Sequence, residues 1–272
     1  MKMLNPFLER RRAGRSGATG VVAIFSSTVM PMSSSLQRRF GSLTPEQASR
    51  LDATALDMGV GVVQLMEVAG FQVARCAWRM LGRRAARVHV VAGSGHNGGD
   101  GLVAARHLAA WGCEVSAGVL ADPERVDALL AQQVQAATGA GVGLRLSQRP
   151  SDVLGRLDDA DLVVDALLGT GLRRAPRPIH AEVIAGVRGT ILSIDVPSGL
   201  DAATGDAPGV VVHARTTCTL AGMKRGLWND AARDSCGEIV VADIGMPHLA
   251  WERCGLAAPT SLRGGRLVTL RR

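Results

Sequence analysis

The sequence contains no tyrosine and few aromatic residues of any kind, since Phe and Trp together make up 3% of its 272 residues. Proteins that bind single-stranded nucleic acids stack bases on aromatic side chains, so this scarcity argues against that function. No apolar run is long enough to span a bilayer, and we expect no membrane segment. The five cysteines include no C-x-x-C pair, which argues against a zinc ribbon or a disulfide framework. A reducing, cytoplasmic compartment fits this pattern.

Lysine is nearly absent as well, because only Lys2 and Lys224 are lysines among the 31 basic residues. Much of the excess arginine, which gives the chain a net charge of +7, lies toward the two ends. This distribution does not form a basic patch inside the chain, so we expect no nucleic-acid partner. Residues 1–42 are rich in Arg and Ser, and we expect them to form a disordered arm. An upstream start codon and a transit peptide are the alternatives that we leave open.

Local patterns predict two helix starts. Thr44, Pro45 and Gln47 have the pattern of an N-cap, a first helical residue and a capping box. A later helix is expected to begin at Gly101 and to end before Gly112.

Between residues 43 and 247, short apolar segments alternate with helical patterns, and we interpret this range as one domain. Four of the apolar segments are 87–92, 161–165, 190–195 and 238–243. Because they are apolar throughout, they are typical of parallel strands covered on both faces. The sequence therefore predicts an α/β fold of the three-layer αβα type, with a Rossmann-like, mostly parallel sheet and helices on both faces. We expect residues 248–272 to be a polar tail.

A glycine-rich segment, G-S-G-H-N-G-G-D-G at residues 93–101, follows the first of these strands and opens a helix. Gly93, Gly95 and Gly98 satisfy G-x-G-x-x-G, and glycines let the backbone N–H groups of a helix start approach an anion. Asp122, after the next strand, stands at about the distance of a ribose-binding acid. The segment is not a P-loop, because no Gly-Lys-Ser/Thr follows. A tight turn without a ligand is the alternative interpretation.

Asp100 complicates a plain dinucleotide interpretation of this segment. A carboxylate at the start of a helix is favoured by the helix dipole, but it would repel a pyrophosphate placed directly above it. Two interpretations stay open. Asp100 either turns aside as a helix cap or meets the hydroxyls of a sugar.

Two more strands also end in acids. Asp165 is followed by a G-T-G loop and by Arg173 and Arg174, which can bring N–H groups and cations to a phosphate. Asp195 is followed by a Pro-Ser-Gly turn in which Pro197 keeps the preceding residue extended. In an open parallel sheet, ligands bind outside the carboxyl ends of the strands. The alternative is that both acids only accept hydrogen bonds from their own turns.

Oxygen ligands therefore converge at one edge of the predicted sheet, from Asn97, Asp165 and Ser198. One full charge among neutral oxygens favours a weakly held monovalent cation. None of the six histidines pairs at metal-ligand spacing, which argues against zinc. We expect His89 to be a packed core residue and His107 to lie on a helix surface.

These segments together resemble the NAD(P)H-hydrate epimerase family, the N-terminal domain of nicotinamide nucleotide repair proteins. Members carry G-x-G-N-N-G-G-D-G, D-A-x-x-G-T-G and D-x-P-S-G segments in this order. Residues 65–70 (L-M-E-V-A-G) are similar to the family's L-M-E-N-A-G, and residues 224–227 (K-R-G-L) are similar to its K-x-G-L. The resemblance covers about residues 43–247.

The resemblance implies an isomerase that converts the R form of hydrated NADH or NADPH into the S form. It implies that a separate dehydratase then repairs the S form with ATP or ADP. No redox cofactor is consumed, because the dinucleotide is the substrate. The chain is too short to include a dehydratase with a second glycine-rich segment, so we expect epimerase activity only.

The resemblance also implies which residues bind. The substrate contacts would be His96, Asn97, Gly98, Gly99, Asp100, Gly169, Thr170, Gly171, Leu172, Arg173, Arg174, Ala175 and Asp195. A potassium ion would be held by Asn97, Asp165 and Ser198. Two positions depart from the family pattern, because His96 and Val68 stand where the family usually has asparagine. Protonation of His96 would make binding depend on pH, and Val68 removes an amide that could support the glycine-rich segment.

We expect Asp195 to be the catalytic group that donates a proton to the leaving hydroxyl and accepts one from the incoming water. Two rival functions stay open: an NAD(P)-dependent dehydrogenase, and a non-catalytic module that only binds nucleotide. The absence of tyrosine excludes a Tyr-x-x-x-Lys pair. The preference between NADH and NADPH and the oligomeric state also stay open, with a homodimer as one arrangement.

Overall fold

The structure is a computed structural model that describes residues 34–82 and 86–270. Its α-helices are α1 (Ser34–Phe40), α2 (Pro45–Asp57), α3 (Val62–Leu81), α4 (His96–Ala110), α5 (Ala128–Gly139), α6 (Pro150–Val153), α7 (Pro178–Gly186), α8 (Arg233–Cys236) and α9 (His248–Arg253). Its strands are β1 (Arg87–Gly93), β2 (Glu114–Leu120), β3 (Gly143–Ser147), β4 (Leu162–Ala166), β5 (Ile191–Ile194), β6 (Thr216–Leu220), β7 (Glu238–Ala242) and β8 (Leu267–Leu270). Two short 3₁₀ helices, Arg225–Trp228 and Asp230–Ala232, lie between β6 and α8.

The strands form one sheet in the order β3-β2-β1-β4-β5-β6-β7-β8. Strands β1 to β7 are parallel, and β8 pairs antiparallel with β7. The order runs in one direction from β1 to β3 and in the other direction from β4 onward, so the chain reverses between β1 and β4. A crevice forms at such a switch point, at the carboxyl ends of the strands.

Helices cover both faces of the sheet, as the sequence predicts. Helices α3, α4 and α5 pack next to one another on one face, while α6 and α7 pack on the other. Successive residues of β1 show the alternation directly, because Val90 packs with the first group of helices and Val91 with the second. Both valines are fully buried, which is why the strand is apolar throughout. No helix within residues 34–82 and 86–270 is long and apolar enough to cross a bilayer.

The N-terminal boundary differs from the prediction. Residues 1–33 lie outside the described residues, but the expectation of a disordered arm up to residue 42 is corrected by α1. Phe40 at the end of α1 is 2% exposed and packs in the same cluster as Met223 and Leu227. Its carbonyl accepts a hydrogen bond from the N–H of Met223 at 2.9 Å. Residues 34–42 therefore belong to the domain, because an apolar anchor and backbone hydrogen bonds hold them.

The C-terminal boundary differs as well, because the expected polar tail contains α9 and β8. Trp251 of α9 is 3% exposed and packs with Leu43 and Leu51. Strand β8 (L-V-T-L) lies at the edge of the sheet, where Leu270 is buried and Thr269 is exposed. The domain therefore continues at least to Leu270.

Helix α2 begins where the sequence predicts. Thr44 is the N-cap, Pro45 is the first helical residue, and Gln47 completes a capping box. The Thr44 hydroxyl accepts a hydrogen bond from the Gln47 N–H at 3.2 Å, while the Gln47 side chain accepts one from the Thr44 N–H at 2.8 Å. These local contacts set the direction in which α2 leaves the sheet edge.

Helix α4 begins at His96, five residues before the predicted start at Gly101. Glycine has a low helix propensity, so the glycine-rich first turn of α4 has no helical signal in the sequence. The glycines are needed for close packing instead. A Cβ added at Gly98 would lie 1.9 Å from the carbonyl oxygen of Gly93, and one at Gly70 of α3 would lie 2.4 Å from Cβ of Val103.

We predict that Gly70→Ala destabilises the protein by about 1–3 kcal/mol, because the added methyl group separates α3 from α4. Gly139 at the end of α5 is the matched control, since nothing lies within 4 Å of a Cβ added there. Gly139→Ala should be neutral or slightly stabilising. Urea unfolding of both variants measures the difference, and equal midpoints would contradict the close packing of α3 on α4.

Candidate active site

A cavity of about 430 Å³ opens at the carboxyl ends of the central strands, beside the switch point. Its polar lining consists of Ser49, Asp52, His96, Asn97, Asp100, Thr170, Asp195 and Lys224. Its apolar lining includes Leu43, Leu51, Leu56, Val62, Leu65, Met66, Ala69, Leu220 and Ile244. Helices α2 and α3 supply most of the apolar wall, whereas the polar groups come mainly from the strand ends and the start of α4. Such a cavity can hold a flat apolar ring beside several polar groups.

The glycine-rich segment forms the first turn of α4. Gly95 is the N-cap, and the N–H groups of the first helical turn have no partners within the helix. Those groups and the helix dipole favour an anion at this end of the cavity. Asp100 is the fifth residue of α4, so the interpretation of Asp100 as a helix cap is wrong. Its side chain lines the cavity instead.

Asp195 stands at the end of β5 in the left-handed region of the backbone, with φ of 67°. A non-glycine residue in this conformation carries backbone strain, which surrounding contacts must offset. The Asp195 N–H donates to the carbonyl of Cys218 at 2.8 Å. Its carboxylate accepts hydrogen bonds from the Leu220 N–H at 3.1 Å and from the Thr219 hydroxyl at 3.3 Å. Strand β6 thereby holds Asp195 with its carboxylate toward the cavity.

Lys224 is the counter-ion of Asp195. The two side chains form a salt bridge in which the lysine is 4% exposed and the aspartate 13%. The Lys224 ammonium also donates to the carbonyls of Leu220 at 2.7 Å and Gly222 at 3.3 Å. The pairing and the hydrogen bonds offset the desolvation of the buried ammonium. Lys224 therefore fixes the position of the Asp195 carboxyl group at the cavity wall.

Two further carboxyl groups, Asp52 of α2 and Asp100 of α4, face the same cavity. Burial raises the pKa of Asp52, and the charge of Asp195 raises it further, while Lys224 and His96 lower it. Burial also raises the pKa of Asp100 well above its usual range, and the nearby Asp195 and Asp52 add to that effect. Three acids around one lysine repel one another when charged, and this repulsion adds to the rise in the pKa of Asp52 and of Asp100.

Asp165 does not line this cavity, because it is completely buried beneath it. Its carboxylate accepts hydrogen bonds from the hydroxyls of Ser193 at 2.7 Å and Ser198 at 2.6 Å, and from the Ser198 N–H at 2.9 Å. The Leu167 N–H is a weaker donor at 3.4 Å. Burial raises the pKa of Asp165, while these hydrogen bonds lower it. Asp165 thus joins the loop after β4 to the turn after β5.

The residues expected to hold a cation fit a monovalent ion in their chemistry. Asp165 is a fully buried carboxylate whose hydrogen-bond donors are neutral hydroxyl and N–H groups, so a nearby cation would offset its desolvation. Ser198 accepts one hydrogen bond, from the Leu168 N–H at 2.8 Å, which leaves an oxygen lone pair. Within the described residues, the buried side-chain nitrogen of Asn97 has no hydrogen-bond partner. An amide can turn over, and a cation would meet its oxygen.

The loop after β4 contributes less to the cavity than expected. Among residues 169–175, Thr170 lines it, whereas Arg173 and Arg174 are exposed. Arg173 donates to the carbonyl of Thr170 and forms a salt bridge with Glu46, each at 2.8 Å. The structure therefore places Arg173 as a link between this loop and α2.

Asp122, the expected ribose acid, is also outside the cavity lining. It accepts a hydrogen bond from the Glu124 N–H at 3.1 Å and lies 3.8 Å from the guanidinium of Arg125. These contacts stabilise its own turn. A dehydrogenase would need Asp122 beside the glycine-rich segment to bind the ribose. Because Asp122 does not line the cavity, this position no longer supports the dehydrogenase interpretation.

Three remaining predictions have different outcomes. His89 is 2% exposed and hydrogen-bonded to Ser116 and to the Val153 carbonyl, which confirms a core role. His107 was expected on the surface, but its side chain is 18% exposed and contacts Glu67 at 2.8 Å. Val68 is 36% exposed and does not line the cavity.

The sequence patterns did not identify Asp52 as a site residue, and they placed Lys224 in the K-R-G-L segment without a role. Asp52 lies on α2, whose link to the cavity depends on tertiary packing that no local pattern shows. Lys224 had a usable signal, because it is the only lysine in residues 43–247 and opens the K-R-G-L segment.

The fold and the site together define the class of this protein. It is a Rossmann-like α/β domain whose glycine-rich helix start meets a group of acids around one lysine. Within that class, the chain belongs to the family described as YjeF-related protein N-terminus, which matches residues 62–226. The resemblance inferred from the motifs is thereby confirmed.

Several curated relatives are similar to most of the chain. The bifunctional NAD(P)H-hydrate repair enzyme Nnr of Hyperthermus butylicus is 42% identical over 212 residues, which is 76% of this chain and 38% of that protein. The NAD(P)H-hydrate epimerase of Dehalogenimonas lykanthroporepellens is 37% identical over 205 residues, which is 74% of this chain and 80% of that protein. The chain thus spans about two fifths of the length of the bifunctional relatives it matches.

A solved structure agrees with the fold. The crystal structure of the yeast protein ynu0 has a TM-score of 0.72 and 26% identity to this chain. The match covers 84% of this chain and 99% of the yeast chain. The expectation of a Rossmann-like, mostly parallel sheet is therefore confirmed.

We predict that Asp100→Asn stabilises the protein at neutral pH. Because the folded-state pKa of Asp100 is raised, folding takes up a proton at any pH above the ordinary pKa, so wild-type stability falls as pH rises. Asparagine has no such linkage. The variant should therefore gain about 1 kcal/mol near neutral pH and gain less as the pH falls below about 4, where Asp100 becomes protonated in both states. Urea unfolding across this range measures the difference, and a constant difference at every pH would contradict the burial of a titrating Asp100.

Proposed function

We propose that this protein is an isomerase that converts the R form of hydrated NADH and NADPH into the S form. The observation that carries the proposal is the cavity itself, where the start of α4 and the Asp195–Lys224 pair lie together. Its apolar wall of α2 and α3 suits a nicotinamide ring, and its helix start suits a phosphate. A relative named NAD(P)H-hydrate epimerase, of which the chain covers 80%, supports the same function.

The binding part of this proposal rests on the start of α4. The backbone at Gly98 and Gly99 can approach the dinucleotide closely, and the side chains of His96 and Asn97 line the cavity beside it. Thr170 contributes a hydroxyl from the loop after β4. Asp100, held neutral by burial, donates a hydrogen bond to the substrate rather than repelling it.

The chemical part rests on Asp195. Hydrated nicotinamide bears a hydroxyl on the carbon next to the ring nitrogen, and the nitrogen lone pair can expel that hydroxyl to leave an iminium. The leaving hydroxyl needs a proton, and the water that returns must lose one. Asp195, which Lys224 orients at the cavity wall, can donate a proton to the leaving hydroxyl and take one from the incoming water. The apolar wall limits access of other nucleophiles to the iminium.

Asn97, Asp165 and Ser198 would hold a potassium ion below the cavity. The ion would supply positive charge next to a buried carboxylate and would link the start of α4 to the loops after β4 and β5. Asp165 and Ser198 already join those two loops by hydrogen bonds of 2.6 Å and 2.9 Å. Their role in turnover is to keep the substrate loops in register.

The biological setting follows from the product. The S form requires an S-specific dehydratase that uses ATP or ADP, and we propose such an enzyme as the functional partner. All five cysteines lie within the described residues, where they are buried and form no disulfide, which supports the proposed reducing cytoplasmic compartment. A homodimer stays a prediction.

We predict that the protein allows complete repair of a mixture of R and S hydrates when a separate S-specific dehydratase and its nucleotide are supplied. Without the protein, repair should stop when the S form is consumed. Asp195→Asn should slow epimerisation by about 100-fold or more, since it removes an acid–base group. The absorbance of the reduced cofactor measures repair, with NADH and NADPH hydrates in parallel.

Asp206→Asn is the matched control for this assay, because Asp206 is an exposed carboxylate outside the cavity lining. It should leave the rate unchanged. Binding of the hydrates without any loss of the R form would instead identify a non-catalytic nucleotide-binding module.

We predict that potassium stabilises the folded protein more than sodium does. At a concentration tenfold above its dissociation constant, a bound ion adds ~1.4 kcal/mol, or roughly 3 °C in the unfolding midpoint of a domain of this size. Ser198→Ala should remove the difference between the two salts. Ser151→Ala, on the exposed side of α6, should keep it. Equal midpoints in both salts for the wild type would exclude a selective site.

A further inference from the structure

The cavity contains one acid more than the reaction described above uses. Asp52 projects from α2 on a different wall from Asp195, which stands at the sheet edge. Within the described residues, no hydrogen bond or ion pair occupies its carboxyl group, in contrast to Asp195 with its three donors. Asp52 is accessible to solvent, since its side chain opens at the cavity. A solvent-accessible carboxyl group without a fixed partner can exchange its proton with water, as an acid–base group must.

Epimerisation requires proton transfer at both faces of the nicotinamide ring. The hydroxyl leaves from one face of the nicotinamide, and water must return to the opposite face. A single fixed carboxylate reaches only one face, unless the bound iminium turns over between the two steps. Asp195 cannot follow a moving ring, because Lys224, Leu220 and Thr219 hold it.

We propose that Asp52 is a second catalytic acid–base group, which acts on the face of the nicotinamide ring opposite to the face served by Asp195. This inference rests on the proposed epimerase function and deepens it. The two groups belong to different elements, α2 and the end of β5, and the cavity lies between those elements. A substrate ring in the cavity can therefore meet one carboxyl group on each side.

The proton balance of this scheme is closed. In the conversion of R to S, one acid gives its proton to the leaving hydroxyl as the C–O bond breaks, and water and the iminium are formed. A water molecule then adds to the other face, a new C–O bond forms, and the second carboxylate takes the proton that this water loses. One proton has moved from one carboxyl group to the other, and exchange with solvent through the open side of Asp52 resets the pair. No oxidant, reductant or further reactant is needed.

The two groups have different electrostatic surroundings. Lys224 pairs with the Asp195 carboxylate and holds it in place. Burial raises the pKa of Asp52, and the charge of Asp195 raises it further, while Lys224 and His96 limit the rise. Asp52 therefore gains a proton more readily than an ordinary carboxyl group, as a general acid must. The pKa of Asp100 is raised well above its usual range within complete burial, which suits a hydrogen-bond donor better than a group that must release its proton.

The test follows the hydroxyl oxygen in water enriched in oxygen-18, with each epimer supplied separately. In the wild type, both epimers should exchange their hydroxyl oxygen and interconvert. Asp52→Asn should slow interconversion by about 100-fold or more. One epimer, whose hydroxyl faces Asp195, should still exchange its oxygen and keep its configuration. Asp195→Asn should show the reciprocal pattern, with exchange preserved in the other epimer only.

Asp57→Asn is the matched control, because Asp57 is an exposed carboxylate on the same helix and does not line the cavity. It should leave both exchange and interconversion unchanged. Thermal unfolding checks that each variant is folded. Asp52→Ser, which removes the carboxyl group without adding an amide, replaces the asparagine variant if that variant fails to fold.

Three outcomes are decisive. Interconversion by Asp52→Asn within twofold of wild type would overturn the role of Asp52. Loss of oxygen exchange in both epimers would also overturn it, since Asp52 would then act by positioning Asp195 or by shaping the cavity. Failure of the wild type itself to interconvert the epimers would instead contradict the proposed epimerase function.

Discussion

The buried ion pair between Asp195 and Lys224 is the contact on which the site depends. Asp195 occupies a strained backbone conformation, and Lys224 is almost completely removed from solvent. Neither side chain is tolerable there without the other, because a single buried charge costs several kcal/mol. The pair also ties distant segments together, since Leu43 forms a β-bridge with Lys224 just before α2 begins. Lys224 therefore orients the Asp195 carboxyl group with its side chain. With its backbone, Lys224 also helps to set where α2, and with it Asp52, meets the cavity.

Stability and activity oppose each other in this cavity. Asp100 is buried without a counter-ion of its own, and that burial raises its pKa, which lowers the stability of the fold at neutral pH. A core built for stability alone would place an apolar or amide side chain at this position. The cost is spread over a fold with a large apolar interior, in which helices cover both faces of the sheet. A large core of this kind can offset a destabilised site.

What the sequence could predict divides along physical lines. The capping box at Thr44, the buried strands and the glycine-rich segment depend on local patterns, and they were found where predicted. The edge strands β3 and β8 were missed, because β3 alternates exposed with half-buried residues and β8 is only four residues long in an arginine-rich segment. The start of α4 was predicted too late, since its glycines serve packing rather than helix propensity. Asp52 and the burial of Asp165 depend on contacts far apart in the chain, which spacing does not encode.

The origin of the cavity walls explains why the domain extends beyond the matched family range. Residues 62–226 include α3, the glycine-rich start of α4, Asp195 and Lys224. The wall formed by α2 lies before that range, and the segment that supports it lies after, because Leu51 of α2 packs on Trp251 of α9. Removal of either flanking segment would open the cavity on the side that carries Asp52. The flanking segments thus act on the site through packing. The sheet edge carries the Asp195–Lys224 pair, and the flanking helices enclose it. Enclosure from solvent strengthens the interactions between buried charges.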